Sequence, residues 1–460
     1  MSNRDDLFYT RKNAYDVIAE SDTELIDSYC DGYKQFLDDA KTEREAVTAA
    51  IDLAASAGFV PFERGMALSP GNKVYTSVRG KALMLTVIGN APLSDGANLS
   101  AAHLDAPRLD LKQLPLYEDN ELAFFKTHYY GGIRKYQWVT LPLELRGVVA
   151  KKDGSVIPIV IGNDKDDPIF LISDLLPHLA AEQSKKPLGE AISGEGLNIL
   201  IASRPIGEEK DSDRVKHSVL RILNEKYGIN EEDLISAELE AVPALTARDV
   251  GLDRSMVGAY GQDDRSCSYA ALRAILDIGT PEKTAVCVLA DKEEIGSDGV
   301  SGMQSAAFET FMGDLCRTQN VDLLHCFERS FCLSTDVCNA FDPNFPEVSE
   351  KRNNAKFNYG IALLKYTGSR GKSGASDASA EVIAKVRRIF DDAGILWQMT
   401  TLGKVDQGGG GTVAKYMANR NIDTIDAGIP LISMHSPYEI AAKLDCYMTY
   451  KGIKALYDER

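Results

Sequence analysis

The sequence predicts an α/β protein in which a layered domain of alternating helices and strands is interrupted by a β-rich insertion. Three observations carry that expectation. Helical and strand patterns alternate before residue 105 and again beyond 243. Between them, 106–242 reads as short β-rich runs parted by Gly and Asp turns. The 460 residues suit two or three domains, and no internal repeat or low-complexity segment suggests another organisation. The expected division is 1–105 with 243–460 for the layered domain and 106–242 for the insertion.

Each element has a local reason. Thr42 and Glu45 have the spacing of a capping box; Val47, Ile51 and Ala54 follow at helical spacing, and Gly58 ends the helix. Strand-like runs follow at 81–88 and 98–103, the second stopping at His103-Leu104-Asp105. In the insertion, 136–145 and 156–161 read as strands, and the charged stretch 183–195 reads as a surface loop. Beyond it come a helix at 266–278, a strand at 284–290 and a helix at 375–393. The apolar run 427–432 precedes an expected helix start. Ser436 would be its N-cap, Pro437 its first residue and Glu439 the reciprocal partner.

Composition narrows the class. Hydrophobic residues make up 44% and charged ones 26%, as in soluble enzymes. A net charge of -17 argues against nucleic acid and anionic membranes, whose phosphates need clustered cations. No run of about 18 apolar residues could span a membrane, and residues 1–12 lack the apolar core of a signal peptide. The eight cysteines are scattered with no CxxC pair, which fits neither a disulfide framework nor a thiolate zinc site. A reduced cytoplasm is the simplest compartment.

Two of the six histidines lie where strands end. On an extended strand, residues two apart point the same way. Asp105 can therefore lie beside His103, as a ligand or as the carboxylate that fixes the imidazole. His435 falls at a strand-to-helix turn, where open α/β sheets place their sites. Three acidic clusters join them: Asp263-Asp264, Glu293-Glu294 after the strand 285–290, and Asp336 after the strand 331–333. Singly, such clusters are more often solvated loops. Together, buried unpaired anions cost several kcal/mol unless a cation resolves them. Imidazole and carboxylate donors without thiolate suit a catalytic zinc with open positions. They suffice for two ions sharing a bridging carboxylate. One of Glu293 and Glu294 would ligate and the other move a proton.

With these clusters in order, the sequence resembles the aspartyl aminopeptidase and aminopeptidase I family of cocatalytic zinc exopeptidases, nearly end to end. The fragments AAHLDAPRLDLK, YYGGIRKYQWVTLPLELRG, GQDDR, DKEEIGSDG, STDVCNAFDPNFPE, KYTGSRGKSGASDASAE, GGGGTVAKYMA and MHSPYEI carry the resemblance by their order and spacing. It implies a three-layer α/β/α catalytic domain with a mixed sheet and an inserted β-rich dimerisation domain. By motif, His103 and Asp336 would hold one zinc, Glu294 and His435 the other, and Asp263 would bridge them. Glu293 would be the general base and Asp105 would orient His103. Manganese or cobalt are alternative metals. The resemblance also implies a tetrahedral homo-dodecamer built from dimers.

The sequence departs from the family in two places. Relatives carry Ala-Ile-His-Leu in the inserted domain, with a histidine that reaches a neighbouring subunit's site; here His178 lies in the different context Leu176-Pro177-His178-Leu179. The Gln-Arg-Tyr segment of aspartyl aminopeptidases is absent, and 365–372 stands in its place. Lys365, Arg370 and Lys372 form either a pocket for an acidic side chain or a solvated basic loop, so an acidic N-terminal preference stays open. Gly409, within 408–411, either lets backbone approach substrate or belongs to a flexible turn. The leading function is hydrolysis of the N-terminal bond of short peptides by a two-metal-activated water. The alternatives are a binuclear amidase acting on other amino-acid amides and a non-catalytic oligomeric metal-binding scaffold. The presence of every expected ligand and of the base argues against the scaffold.

Overall fold

Two helices, α1 (Glu20–Asp39) and α2 (Glu43–Ser56), precede the first strand. The capping box at α2 forms as its spacing predicts. The Thr42 hydroxyl accepts the Glu45 N–H at 3.2 Å, and the Glu45 carboxylate accepts the Thr42 N–H at 3.1 Å. The computed structural model describes residues 7–208 and 210–459. They form two units. One comprises the chain up to Asp105, Ala247–Met434 and the residues from Glu439 on; the other comprises Ala106–Thr246 and His435–Tyr438.

The first unit is built on a nine-stranded sheet. Its strands are β1 (Val60–Pro61), β2 (Lys73–Val78), β3 (Ala82–Val87), β4 (Ala97–His103), β5 (Thr284–Ala290), β6 (Phe331–Ser334), β7 (Ile361–Leu364), β8 (Trp397–Thr400) and β9 (Asp423–Gly428). Their spatial order is β1-β2-β3-β5-β4-β6-β9-β7-β8. The centre, β5-β4-β6-β9, is parallel, while β3 and β7 run antiparallel to their neighbours β5 and β9. The sheet is therefore mixed.

Strand periodicity explains the layers. Along β5, Ala285, Cys287 and Leu289 pack with Val47 and Ala50 of α2 and with Leu272 and Ile275 of α3 (Gln262–Leu276). Val286, Val288 and Ala290 point the other way, into a cluster with Phe308, Phe311 and Leu315 of α4 (Ala307–Thr318). Burial on both faces makes β5 a continuous apolar run and gives the expected three-layer α/β/α arrangement. Helices α5 (Ala380–Asp392) and α6 (Lys443–Tyr457) complete the layers, Val386 and Phe390 of α5 packing with Leu363 of β7. A second sheet joins Arg248–Val250, Met256–Ala259, Glu439–Ala442, Pro430–Ile432 and Cys338–Asn339.

The other unit is β-rich. Val156–Ile161, Leu143–Ala150, Ala237–Pro243, Arg108–Asp119, Leu122–Tyr130 and Ile199–Ala202 form one antiparallel sheet in that order. The helix Arg214–Tyr227 buries Val215, Val219 and Leu223. The unit extends beyond residue 242, to Thr246.

Several elements differ from expectation. The run 136–145 is not one strand: Lys135–Gln137 is a 3-10 turn, Thr140 adopts a positive φ of 60°, and extended structure begins at Leu143. Helix α5 begins at Ala380 because Ser379 caps it, its hydroxyl accepting the Val382 N–H at 3.3 Å. The run 427–432 is divided between β9 and Pro430–Ile432. No helix starts at Ser436. Residues Glu439–Ala442 are a strand, and the helix is α6, which begins at Lys443. The Ser436 hydroxyl instead donates to the Tyr438 carbonyl at 2.8 Å. Among the described residues, no helix is long and apolar enough to cross a membrane.

Candidate metal centre

Parallel strands bring their carboxyl ends to one edge of the sheet. His103 at the end of β4 pairs in register with Ala290 at the end of β5, and Ala101 with Ser334 at the end of β6. The segments after β5 and β6 carry Glu293-Glu294 and Asp336, so this topology delivers both to the end of β4.

His103 is the centre of the resulting cluster. Its Nε2 lies 3.3 Å from Asp263 Oδ1, 3.8 Å from Asp336 Oδ1 and 4.0 Å from Glu293 Oε2. Its Nδ1 lies 3.0 Å from the Asp105 carbonyl oxygen and 3.4 Å from Asp105 Oδ1. A carbonyl only accepts, so Nδ1 donates to Asp105, and Nε2 faces the carboxylates of Asp263, Asp336 and Glu293. The strand around His103 is held as well: its N–H donates to Asp264 Oδ2 at 3.3 Å, and the Ser268 hydroxyl donates to its carbonyl at 2.7 Å.

Asp105 performs a second task. Its Oδ1 and Oδ2 accept the backbone N–H groups of Glu293 and Glu294, each at 3.1 Å. These residues sit in the 3-10 turn Glu293–Ile295, between Lys292 and Gly296 in left-handed conformations. One carboxylate thus orients both an imidazole and the turn that carries two glutamates. Asp263 is held by its own N–H, which donates to Glu439 Oε2 at 3.0 Å; its peptide with Asp264 is cis.

Crowding of buried carboxyls shifts their acidity. Burial pushes Glu293 up to about 8, with His103 opposing and Asp336, Asp105 and Asp263 adding. Burial also raises Asp336 against the pull of His103. For His103, burial disfavours the charge, but hydrogen bonds with Asp105, Asp263 and Asp336 outweigh it and hold the imidazole well above its ordinary range. Each effect reflects surplus negative charge in a dry site.

The donor set fits a divalent metal. His103, Asp263 and Asp336 each offer a ligand atom, all within 4.8 Å of one another. Ligands about 2.0–2.1 Å from a tetrahedral zinc are separated by about 3.3–3.4 Å, and His103 Nε2 to Asp263 Oδ1 matches such an edge at 3.3 Å. One imidazole with carboxylates and no thiolate is the chemistry of a catalytic rather than a structural zinc.

The other expected residues take varied places. His435 adopts a φ of 63° in the four-residue segment grouped with the β-rich unit, and its Nδ1 donates to the Gly132 carbonyl at 2.8 Å, leaving the lone pair on Nε2. His178 lies on the exposed turn Pro177–Leu179 of that unit. Lys365 donates to Asp377 Oδ1 at 2.6 Å and Lys372 to Asp377 Oδ2 at 2.9 Å. Asp377 thus bridges the two lysines, while Arg370 stands exposed nearby in sequence with a φ of 49°. Gly409 approaches backbone of the protein itself: with a φ of 129°, any Cβ there would run into the Ser369 backbone. Sequence reasoning missed Glu439 as the support for Asp263. A buried acid alternating with Ala441 on the strand Glu439–Ala442 is the signal it left.

Comparison with known proteins agrees with this architecture. Residues 36–457 match the family model of the aminopeptidase I zinc metalloproteases, M18. The chain is 49% identical over 458 residues, 98% of each chain, to a probable M18 family aminopeptidase 1 of Clostridium acetobutylicum. It superposes on an M18 family aminopeptidase of Thermotoga maritima with a TM-score of 0.94 at 45% identity, covering 98% of this chain and all of that one. A chain of the S. cerevisiae mApe1 dodecamer shares the fold, with a TM-score of 0.76 at 22% identity over 95% of this chain and 97% of that one. The chain belongs to the M18 aminopeptidase I family of zinc metalloproteases and is a metalloaminopeptidase.

Proposed function

We propose that this aminopeptidase releases single residues from the free N-termini of short peptides using two zinc ions. His103 and Asp336 would hold one ion, Glu294 and His435 the other, with Asp263 common to both. Bound there, the metals supply Lewis acidity toward the scissile carbonyl and lower the pKa of an attacking water. The remaining work belongs to the chain. Glu293 Oε2 takes the proton of that water and later delivers it to the nitrogen of the leaving amine. Asp105 keeps that carboxyl and the His103 ring in register through its backbone contacts.

The observation that carries the reading is the convergence of His103 with Asp263, Asp336 and Glu293 within 4.0 Å of its Nε2. Lys365 and Lys372 share the single carboxylate of Asp377, which leaves one of their two charges unmatched.

Assembly into a homo-dodecamer built from dimers through the β-rich unit is part of the same reading, supported by the fold shared with the mApe1 dodecamer. Light scattering would then give a mass about twelve times the 50.2 kDa chain. A cytoplasmic location is supported by the eight cysteines, all buried thiols without disulfides. The test of activity is amino-acid release from peptides with free and acetylated N-termini, with zinc or with chelator. Zinc-dependent release from free termini alone is expected. Equal cleavage of acetylated peptides would favour a different amidase.

A further inference from the structure

The β-rich unit holds a cavity of about 480 Å³ formed by the loop around Gly132–Tyr136, with Tyr129 and Leu188 beside it. Arg134 and Lys135 both line it, and no carboxylate does. Among the described residues, neither cation has an acidic partner. Elsewhere in the unit Lys112, Lys152, Lys185 and Lys216 each pair with a glutamate. In a chain of net charge -17, two adjacent unneutralised cations in a concave site make a local attractor for anions.

The walls favour a particular kind of anion. The Arg134 guanidinium lies 5.0 Å from the centroid of the Tyr136 ring. Tyr129, Tyr136 and Leu188 are 41%, 39% and 54% exposed, so apolar surface flanks the charges. An Arg fork matches a carboxylate bidentately and a lysine adds a point charge. Aliphatic carbons carrying that carboxylate would cover the tyrosine faces.

The cavity is tied to a proposed metal ligand. The Gly132 carbonyl accepts the His435 Nδ1–H at 2.8 Å, and the absence of a side chain at 132 lets the ring approach. Arg134 is two residues further on, a span of at most about 7 Å. From this we infer that the Arg134–Lys135 cavity binds a carboxylate of the peptide substrate, either an acidic side chain near the N-terminus or the terminal carboxylate of a short peptide. The assignment rests on the aminopeptidase reading above and adds the group that recognises substrate charge.

The test compares the zinc-loaded full-length protein with an R134Q/K135Q variant and a charge-keeping R134K/K135R variant. Substrates are Leu-Gly-Gly, its C-terminal amide and the amide of Asp-Gly-Gly. In R134Q/K135Q, KM should rise about tenfold for the carboxylate-bearing peptides while kcat stays within about twofold, and the neutral amide should be unaffected. R134K/K135R should retain most of the wild-type preference. A loss confined to Leu-Gly-Gly identifies the terminal carboxylate, and one confined to the Asp amide identifies the side chain. An equal change on the neutral amide, or none on any peptide, would overturn the assignment. Calorimetric titration with the corresponding reduced-amide peptides separates the two readings. If wild-type protein hydrolyses nothing, the aminopeptidase reading fails, and an unchanged carboxylate preference in R134Q/K135Q binding would refute the cavity on its own.

Discussion

The Asp105 carboxylate accepts the Glu293 backbone N–H at 3.1 Å, joining two residues 188 positions apart in the chain. Its other oxygen does the same for Glu294, and its carbonyl holds His103 Nδ1. Asp105→Asn keeps the size but turns an amide NH2 toward a backbone donor. We expect metal affinity or kcat/KM to fall about 10–100-fold, with about 1–3 kcal/mol lost in stability. Zinc titration and steady-state kinetics check this, and wild-type values for both would remove Asp105 from its positioning role.

Glu293→Gln preserves shape and the backbone contacts with Asp105 but cannot carry a proton. Metal content should stay at the wild-type level while kcat falls about 10²–10⁴-fold. Metal analysis beside kinetics on the same sample makes the comparison. Near-full turnover by the metal-loaded variant would exclude Glu293 as the base.

Gly428 ends β9 directly against the Asp336 backbone, and a Cβ there would run into the Asp336 carbonyl oxygen. Gly428→Ala should therefore displace a proposed metal ligand. The expected outcome is a stability loss of about 1–3 kcal/mol together with weaker metal binding. Destabilisation without any change in metal affinity would show that Asp336 tolerates the shift.

Asp445 is buried on α6 and accepts the N–H groups of Asn358 and Gly360 at 2.9 and 2.8 Å. Burial pushes its carboxyl up to about 7 from an ordinary 3.8, against those hydrogen bonds. The raised value means that the folded state holds a proton the unfolded chain releases above pH 4. This contribution to stability is fully present below about pH 4 and is lost as pH rises to about 7 and beyond. Asp445→Asn removes the titration. The difference in melting temperature between wild type and variant should narrow from pH 5 to pH 8 with zinc saturating, and a constant difference would contradict the shift.

Much of this protein was legible in its sequence because the signals are local. The Thr42–Glu45 box closes within one helical turn, and β5 reads as apolar on both faces because helices cover both. Glu293-Glu294 and Asp336 stood out by falling just after such strands, and parallel topology then gathers them at His103. Other features depended on partners far along the chain. The Ser436–Glu439 pattern has the spacing of a helix cap, yet Glu439 joins a strand and gives its carboxylate to the Asp263 N–H, 176 residues away. The sequence leaves Lys365 and Lys372 open between a pocket and a solvated loop, and does not show that both meet the Asp377 carboxylate. Nor does any spacing announce that Asp105 supports the Glu293 turn. Sequence by itself determined local elements such as the capped α2 and the apolar β5, and the kinds of chemical group at strand ends, since caps and periodicity act over a few residues. Only tertiary structure decided which charges neutralise one another and which carboxylate holds which backbone, because those choices follow from contacts between residues that the chain keeps far apart.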